Sequence, residues 1–173
     1  MRRSGPWLAA ALISVGLVLL GVAAWRSADD GAAASPLPLE RAVDKATSAK
    51  DPFRDLTELR LAVGGHPMRV VVADEVDERT AGLRRRSDIG PYDGMLFAFD
   101  GPTTAAFTMS TVPVALDIGF YTASGRVVDR LRMEPCAGSE AECPVYRASG
   151  PFVFALETLA GDLRRGRLRA RSA

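Results

Sequence analysis

The chain has few of the residues that most often carry chemistry. Its 173 residues include one histidine and two cysteines, and 22 Lys and Arg nearly balance 21 Asp and Glu. A net charge of +1 excludes the basic signature of a nucleic-acid-binding protein. The single histidine, His66, lies in a Gly/Pro-rich turn, and the Gly-x-Ser-x-Gly, phosphate-loop and His-Glu-x-x-His motifs are absent. We therefore expect no Ser–His–acid triad, no metal and no cofactor.

One long apolar run, Trp7 to Trp25, follows Arg2 and Arg3. A helix of this length spans about 28 Å, close to the roughly 30 Å hydrocarbon core of a bilayer. The run predicts a single transmembrane anchor over residues 7–25, with residues 1–6 in the cytoplasm and the following chain outside. The alternative is a cleaved signal peptide, for which two segments resemble cleavage sites: Val22-Ala23-Ala24 and Ala32-Ala33-Ala34. Both alternatives export the domain, in the second case as a secreted protein.

Export determines how the two cysteines are interpreted. In an oxidising compartment, two nearby cysteines most often form a disulfide, so we predict a bond between Cys136 and Cys143. Because the enclosed loop is short, its closure stabilises the fold by only about 2 kcal/mol. A redox-active pair is the functional alternative, but the Cys-x-x-Cys spacing that lowers a thiol pKa is missing.

Residues 26–55 are rich in Ala, Ser and Asp and contain three prolines, which predicts a flexible tether, with a short amphipathic turn left open over 39–46. Beyond it, the segments 59–63 and 68–73 flank Gly-Gly-His-Pro and predict a hairpin. Asp74 is the predicted N-cap of a short helix over residues 75–85. Six further strands are predicted, the last of them weak: 94–99, 105–109, 116–121, 126–133, 152–158 and 167–171.

Short strands with regularly spaced turns and one helix predict a mainly β domain over residues 56–173, of compact β-sandwich or barrel type. Its apolar strand residues are expected to form the core, or, if some face outward, to line an apolar groove. They include three methionines and four phenylalanines: Met95, Met109, Met133, Phe97, Phe99, Phe107 and Phe120.

Seven motifs occur in one order along this domain: VVADEVDERTAGLRRR, DGMLFAF, FTMSTVPVALDIGFY, SGRVV, MEPC, CPVY and ALETLAG. The series resembles the family catalogued as domain of unknown function 192 (DUF192), over about Leu59 to Gly161. The resemblance implies a compact, mostly β fold of sandwich type with a short helix after the second strand. It implies no reaction, because the family has none agreed.

The chain departs from the family pattern at two places. Thr108-Met109-Ser110-Thr111 stands where members often carry Trp-Met, a basic residue and Asn, and Ala115-Leu116-Asp117 stands for Pro-Leu-Asp. The missing aromatic and basic residues weaken a ligand-binding role for the first of these strands, and Met109 is kept as a candidate.

Three charged residues are the main candidates for a site: Arg79 on the predicted helix, and Asp117 and Glu157 within apolar strand runs. A carboxylate flanked by apolar residues is often half-buried and must then be paired. If the two carboxylates meet, they suit general acid–base work or the binding of a sugar or cation. The structural interpretation is that Arg79 pairs with one of them. Tyr146 is expected to hold the disulfide loop through its hydroxyl or to cap a pocket.

The sequence favours a non-enzymatic envelope module that binds a small molecule, a glycan or a protein partner. One alternative is an envelope glycan hydrolase that uses Asp117 and Glu157, and another is a purely structural factor. The expected partners are the lipid bilayer, through residues 7–25, and an envelope glycan or protein. Five arginines between 164 and 171 predict a solvated strand edge, with contact to anionic headgroups or wall polymers as the functional alternative.

Overall fold

The computed structural model describes residues 38–171. They form a mainly β domain, as predicted. The expected cytoplasmic segment 1–6, the expected anchor or signal peptide 7–25 and residues 26–37 of the expected tether lie outside the described residues. Between residues 38 and 171, no helix combines the length and the apolar character needed to cross a membrane.

Two short helices and ten strands make up the described chain, and most of the predicted strands are confirmed with small shifts of their ends. The helices are α1 (Pro38–Val43) and α2 (Val76–Ala81). The strands are β1 (Thr47–Ser48), β2 (Thr57–Val63), β3 (His66–Ala73), β4 (Gly94–Thr103), β5 (Phe107–Thr108), β6 (Leu116–Tyr121), β7 (Val127–Met133), β8 (Val145–Tyr146), β9 (Phe152–Leu159) and β10 (Leu168–Ala170).

Eight of these strands form one mixed sheet in the order β1-β2-β3-β4-β9-β6-β7, with β10 also paired to β2. β3 and β4 run parallel, because α2 and the segment after it make the crossover between them. β5 and β8 form a separate two-stranded ribbon. The domain is therefore one large sheet with a small ribbon, where the sequence predicted a sandwich or barrel.

The sheet has an apolar cluster on each face. One cluster contains Phe97, Phe120 and Phe152 and is covered by residues that follow α2, among them Leu83 and Ile89. The other is built on residues from the five strands β2, β3, β4, β6 and β9 and is completed by three leucines from outside these strands: Leu39, Leu163 and Leu168. The sheet can bury both of its faces because inner strands such as β3 and β9 consist almost entirely of apolar residues.

The tether prediction is corrected for residues 38–55, which pack on the domain. Leu39, Ala49 and Phe53 are buried, with Leu39 in one cluster and the other two in the opposite one. The backbone N–H of Lys50 donates a hydrogen bond of 2.6 Å to the hydroxyl of Tyr92. Leu39 belongs to α1, where the sequence left an amphipathic turn open. Ala49 and Phe53 follow no helical or strand period, so the sequence pattern did not reveal them.

The helix after β3 begins one residue later than predicted and is shorter. Glu75 is the N-cap, and Glu78 Oε2 accepts hydrogen bonds from the backbone N–H groups of Asp74 and Glu75. Glu78 therefore caps the helix start, because its side chain reaches back to the N–H groups of the N-cap residue and of the residue before it. The helix ends at Ala81, since Gly82 has a φ of 47° that ordinary residues rarely adopt.

Candidate functional site

A cavity of about 360 Å³ lies between α2, β4 and the β5 ribbon. We call it the α2 cavity; its lining combines apolar walls with a few polar groups. The lining residues are Val76, Arg79, Thr80, Ala81, Gly82, Leu83, Arg84, Phe97, Phe99, Ala105, Ala106, Phe107, Thr108, Val112, Glu140 and Glu157. Its size is at the lower end of the range for small-molecule sites, and its composition is typical of them.

Three phenylalanines build the walls, and each is held by another ring. Phe97 and Phe107 meet edge to face at 5.2 Å between ring centroids. Phe99 packs in the same way on Phe152 at 5.6 Å. Edge-to-face pairs add about 0.5–1.5 kcal/mol to the energy of burial. Three residues that were predicted as core, Phe97, Phe99 and Phe107, therefore also line a cavity.

Among residues 38–171, Glu157 is the only acidic residue that is buried. It lies on β9, paired in register with Met95 of β4 and Ile118 of β6, and only 5% of it is exposed. Its carboxyl group makes no hydrogen bond or ion pair with the described residues. Burial raises the pKa of Glu157 to about 8, because the apolar surroundings penalise the charged form. At neutral pH the side chain is therefore mainly an uncharged acid that can donate and accept hydrogen bonds.

Gly94 lets β4 approach the backbone of Glu157. A Cβ at this position would stand 2.3 Å from the carbonyl oxygen of Glu157, which no side chain can do without displacing β9. Gly94 is the second residue of the DGMLFAF motif and the first of β4, so a glycine at the start of an apolar strand was the available sequence signal for this close approach.

Arg79 lies in the last turn of α2 and also lines the α2 cavity. Its Nη1 donates to the carbonyl oxygen of Ala98 at 2.8 Å and to that of Asp74. The guanidinium carbon stands 4.9 Å from the ring centroid of Phe99, a cation–π contact. Arg79 thus ties α2 to β4 through backbone carbonyls and an aromatic ring, and not through either candidate carboxylate.

The mouth of the α2 cavity is bordered by the disulfide loop. Cys136 and Cys143 are bonded, with their Cα atoms 5.9 Å apart, as the sequence predicted. Glu140 within the loop forms an ion pair with Arg84, which follows α2. The hydroxyl of Ser110 donates to the Gly138 carbonyl at 2.9 Å and fixes the loop to the segment after β5.

Asp117 does not meet Glu157. It pairs in register with Thr158, while Glu157 pairs with Ile118, so the two carboxylates point to opposite faces of the sheet. Asp117 accepts a hydrogen bond of 2.7 Å from the backbone N–H of Gly161 and lies 3.5 Å from Arg132. The paired-carboxylate arrangement that the hydrolase alternative requires is therefore absent, and Asp117 holds the turn after β9.

The two remaining candidates lie outside the cavity lining. Met109 is fully buried in the cluster around Phe97. Tyr146 accepts a hydrogen bond of 3.1 Å from the backbone N–H of Glu134, so its hydroxyl holds the chain beside the disulfide. Among residues 38–171, no group of three or more His, Cys, Asp or Glu side chains is placed to hold a metal ion.

Sequence reasoning did not identify Arg84 and Glu140 as site residues. Their ion pair joins positions 56 residues apart, and each belongs to a polar segment that reads as ordinary solvated surface. No local sequence pattern predicts that Arg84 and Glu140 are close. They meet at the α2 cavity because Arg84 lies in the segment after α2 and Glu140 lies in the disulfide loop.

Solved structures with a related fold include the following two. A protein of unknown function from Novosphingobium aromaticivorans DSM 12444 is 26% identical, with a TM-score of 0.58, over 73% of this chain and 95% of that one. A putative transcription regulator from Sinorhizobium meliloti 1021 is 24% identical, with a TM-score of 0.54, over 65% of this chain and 92% of that one. The second likeness concerns the fold alone.

A search of curated proteins finds no match to the chain. The family profile of DUF192, described as "Uncharacterized ACR", matches residues 59–171. The match runs from β2 through β10 and includes α2, Arg79 and Glu157, and it agrees with the family resemblance of the motifs. The chain belongs to the DUF192 family.

Proposed function

We propose that the chain is a non-enzymatic binding module that takes a small, partly apolar molecule into the α2 cavity. We further propose that the module is exported and held at a membrane by residues 7–25. The unbroken apolar run after Arg2 and Arg3, and a disulfide that is stable in an oxidising compartment, support the second part.

The observation that carries the proposal is the unpaired carboxyl of Glu157 in the α2 cavity. Elsewhere this domain pairs its partly buried carboxylates: Glu58 accepts hydrogen bonds from Arg69 and Tyr92, and Asp129 accepts them from the backbone of Arg130 and Ser149. The carboxyl of Glu157 instead lines the α2 cavity without a protein partner. A ligand in the cavity can supply the hydrogen bond that the protein does not, and that hydrogen bond would hold the ligand at this carboxyl.

The lining favours binding over catalysis. A hydrolase needs a second group beside the acid, such as a base or a nucleophile. The other carboxylate of the lining, Glu140, is engaged by Arg84 at the exposed mouth. The hydroxyl of Thr80 donates to the carbonyl of Val76 in its own helix at 2.8 Å. Glu157 is thus placed to recognise a molecule and has no evident reaction partner.

The test is a fragment screen on the full-length chain in phosphatidylcholine nanodiscs, at pH 6.5, read by thermal shift and by ligand-observed NMR. A ligand at 100 times its Kd raises the free energy of unfolding by about 2.7 kcal/mol. Thr108→Trp should abolish binding of the hits, because half-buried Thr108 lines the cavity and an indole fills it. Thr104→Trp is the matched control, since exposed Thr104 lies outside the lining.

Glu157→Gln should weaken the hits about tenfold, because an amide replaces the acidic O–H donor at the same place. The proposal fails if no fragment binds the natural chain, or if the hits bind Thr108→Trp as tightly as Thr104→Trp.

A further inference from the structure

We propose that the α2 cavity takes a small organic monoanion with an elongated apolar body, whose anionic group binds Arg79 and whose neutral hydrogen-bond acceptor reaches Glu157. This inference rests on the proposed binding function and names the chemical class of its ligand. It is carried by the distance between the two polar groups, the free donors of Arg79 and the uncharged environment of Glu157.

Glu157 and Arg79 lie beside two different positions of β4, four residues apart along the strand. Glu157 is in register with Met95, and Arg79 stacks over Phe99. Met95, Phe97 and Phe99 alternate on one face of the strand and pack with the same apolar cluster. Four residues of a strand span about 13 Å. A ligand that contacts both ends must therefore be elongated, and the section over Phe97 must be apolar.

Arg79 offers a prepared anion site. Its Nη1 is committed to two backbone carbonyls, and its guanidinium plane is held over Phe99. Its Nε and Nη2 groups make no hydrogen bond with the residues that the structure describes, and no described carboxylate forms an ion pair with it. One edge of the guanidinium is therefore free, and this edge matches the two oxygens of a carboxylate.

The opposite end excludes a second negative charge. Glu157 is 5% exposed and has no cation beside it, so its acid stays protonated and presents an O–H donor to the ligand. A ligand anion there would be buried without a counter-charge. A carbonyl or ether oxygen satisfies the donor without that penalty. The cavity therefore selects a ligand that has an anionic group at one end and a neutral hydrogen-bond acceptor at the other.

Three probes of nearly equal size separate these features: 4-acetylbenzoate, its methyl ester and terephthalate. The first has a carboxylate and a neutral carbonyl on opposite sides of one ring, the ester lacks the charge, and terephthalate carries a charge at both ends. Isothermal titration on the full-length chain in phosphatidylcholine nanodiscs at pH 6.5 should give the tightest Kd for 4-acetylbenzoate. The ester and terephthalate should each bind at least tenfold more weakly.

Two variants of Arg79 test its role. Arg79→Gln should weaken 4-acetylbenzoate at least tenfold and leave the ester within twofold of its original Kd. Arg79→Lys should give an intermediate Kd, because it keeps the charge and loses the two-pronged geometry. Arg86→Gln is the control with the same change in net charge, since Arg86 stacks on Phe53 and does not line the cavity. It should leave every Kd within twofold.

The inference is overturned if the ester binds as tightly as the acid, if terephthalate binds as tightly as 4-acetylbenzoate, or if the acid does not bind. Because these comparisons use the natural chain, they decide the question even if an Arg79 variant fails to fold. If neutral fragments still bind and are blocked by Thr108→Trp, the proposed binding function survives and only the ligand class is wrong.

Discussion

Glu157 makes the stability of this domain depend on pH in the direction opposite to that of a salt-bridged carboxylate. Burial raises the pKa of Glu157 to about 8, whereas an unfolded glutamate titrates near 4.3. Between these values the folded chain holds a proton that the unfolded chain has released. The stabilisation is therefore complete below about pH 4.3 and is lost as the pH rises through 8.

We predict that the free energy of unfolding falls by about 3 kcal/mol between pH 5 and pH 8 through this residue alone. Urea unfolding of the full-length chain at several pH values measures the slope, and Glu157→Gln should remove this part of it. Glu134→Gln changes an exposed glutamate and should keep the natural slope. Equal slopes in the natural chain and in Glu157→Gln would contradict the prediction.

The sequence identified Glu157 as unusual because it interrupts an apolar strand, but it gave the same signal for Asp117. The difference between them is one residue of register: Asp117 pairs with Thr158 and Glu157 with Ile118. A shift of one residue exchanges the two faces of a sheet. Since β6 and β9 are 30 residues apart along the chain, their register is set by the whole sheet and cannot be read from either strand.

At the level of elements, the longer strands could be predicted, whereas two of the shortest could not. The hairpin of β2 and β3 and the strand β6 follow from apolar runs bounded by turn residues. β1 and β8 are two residues long and exist as strands because a partner lies beside them, while the equally short β5 lies within the predicted strand 105–109. Local sequence carries little information about such contacts.

The segment before β2 is held by a hydrogen-bond chain that gives a test at this scale. The N–H of Lys50 donates to the hydroxyl of Tyr92, which donates to Glu58 at 2.6 Å. Tyr92→Phe removes both bonds and should lower the free energy of unfolding by about 1–3 kcal/mol. Amide hydrogen exchange should also speed up at Lys50. Unchanged exchange at Lys50 would mean that this chain does not hold the segment.

The disulfide loop gives a second test at the element scale. Replacing both cysteines, Cys136→Ser with Cys143→Ser, should lower the free energy of unfolding by about 2 kcal/mol, because the unfolded chain gains the freedom of a short loop. Glu140 should then be less well held near Arg84. Glu140→Gln in the oxidised chain is the control, and its effect should stay below about 1 kcal/mol because the ion pair is partly exposed. Equal denaturation midpoints for the double variant and the natural chain would contradict the prediction.

At the level of the whole molecule, β10 connects the two ends of the sheet order. It pairs with β2 near one end, and the N–H of Leu168 donates to the carbonyl of Gly125, in the turn between β6 and β7 at the other end, at 2.9 Å. The sequence signal for β10 is weak because the strand is only three residues long and lies in an arginine-rich segment, which predicted a solvated strand edge. The side chain of Leu168 is fully buried instead, because it packs with Leu39 and Leu163 in the apolar cluster on one face of the sheet.

Leu168→Ala should therefore destabilise the entire domain and not only its C-terminal edge. We expect the free energy of unfolding to fall by about 2–5 kcal/mol, the usual effect of truncating a buried leucine. Amide exchange should speed up at Gly64, whose N–H donates to the carbonyl of Arg167. Arg169→Ala is the matched control, because its exposed side chain leaves the strand pairing intact, and it should change stability by less than about 0.5 kcal/mol. If both variants behave alike in chemical denaturation, β10 is an edge strand whose apolar contacts add nothing, and the sheet is held by the seven other strands.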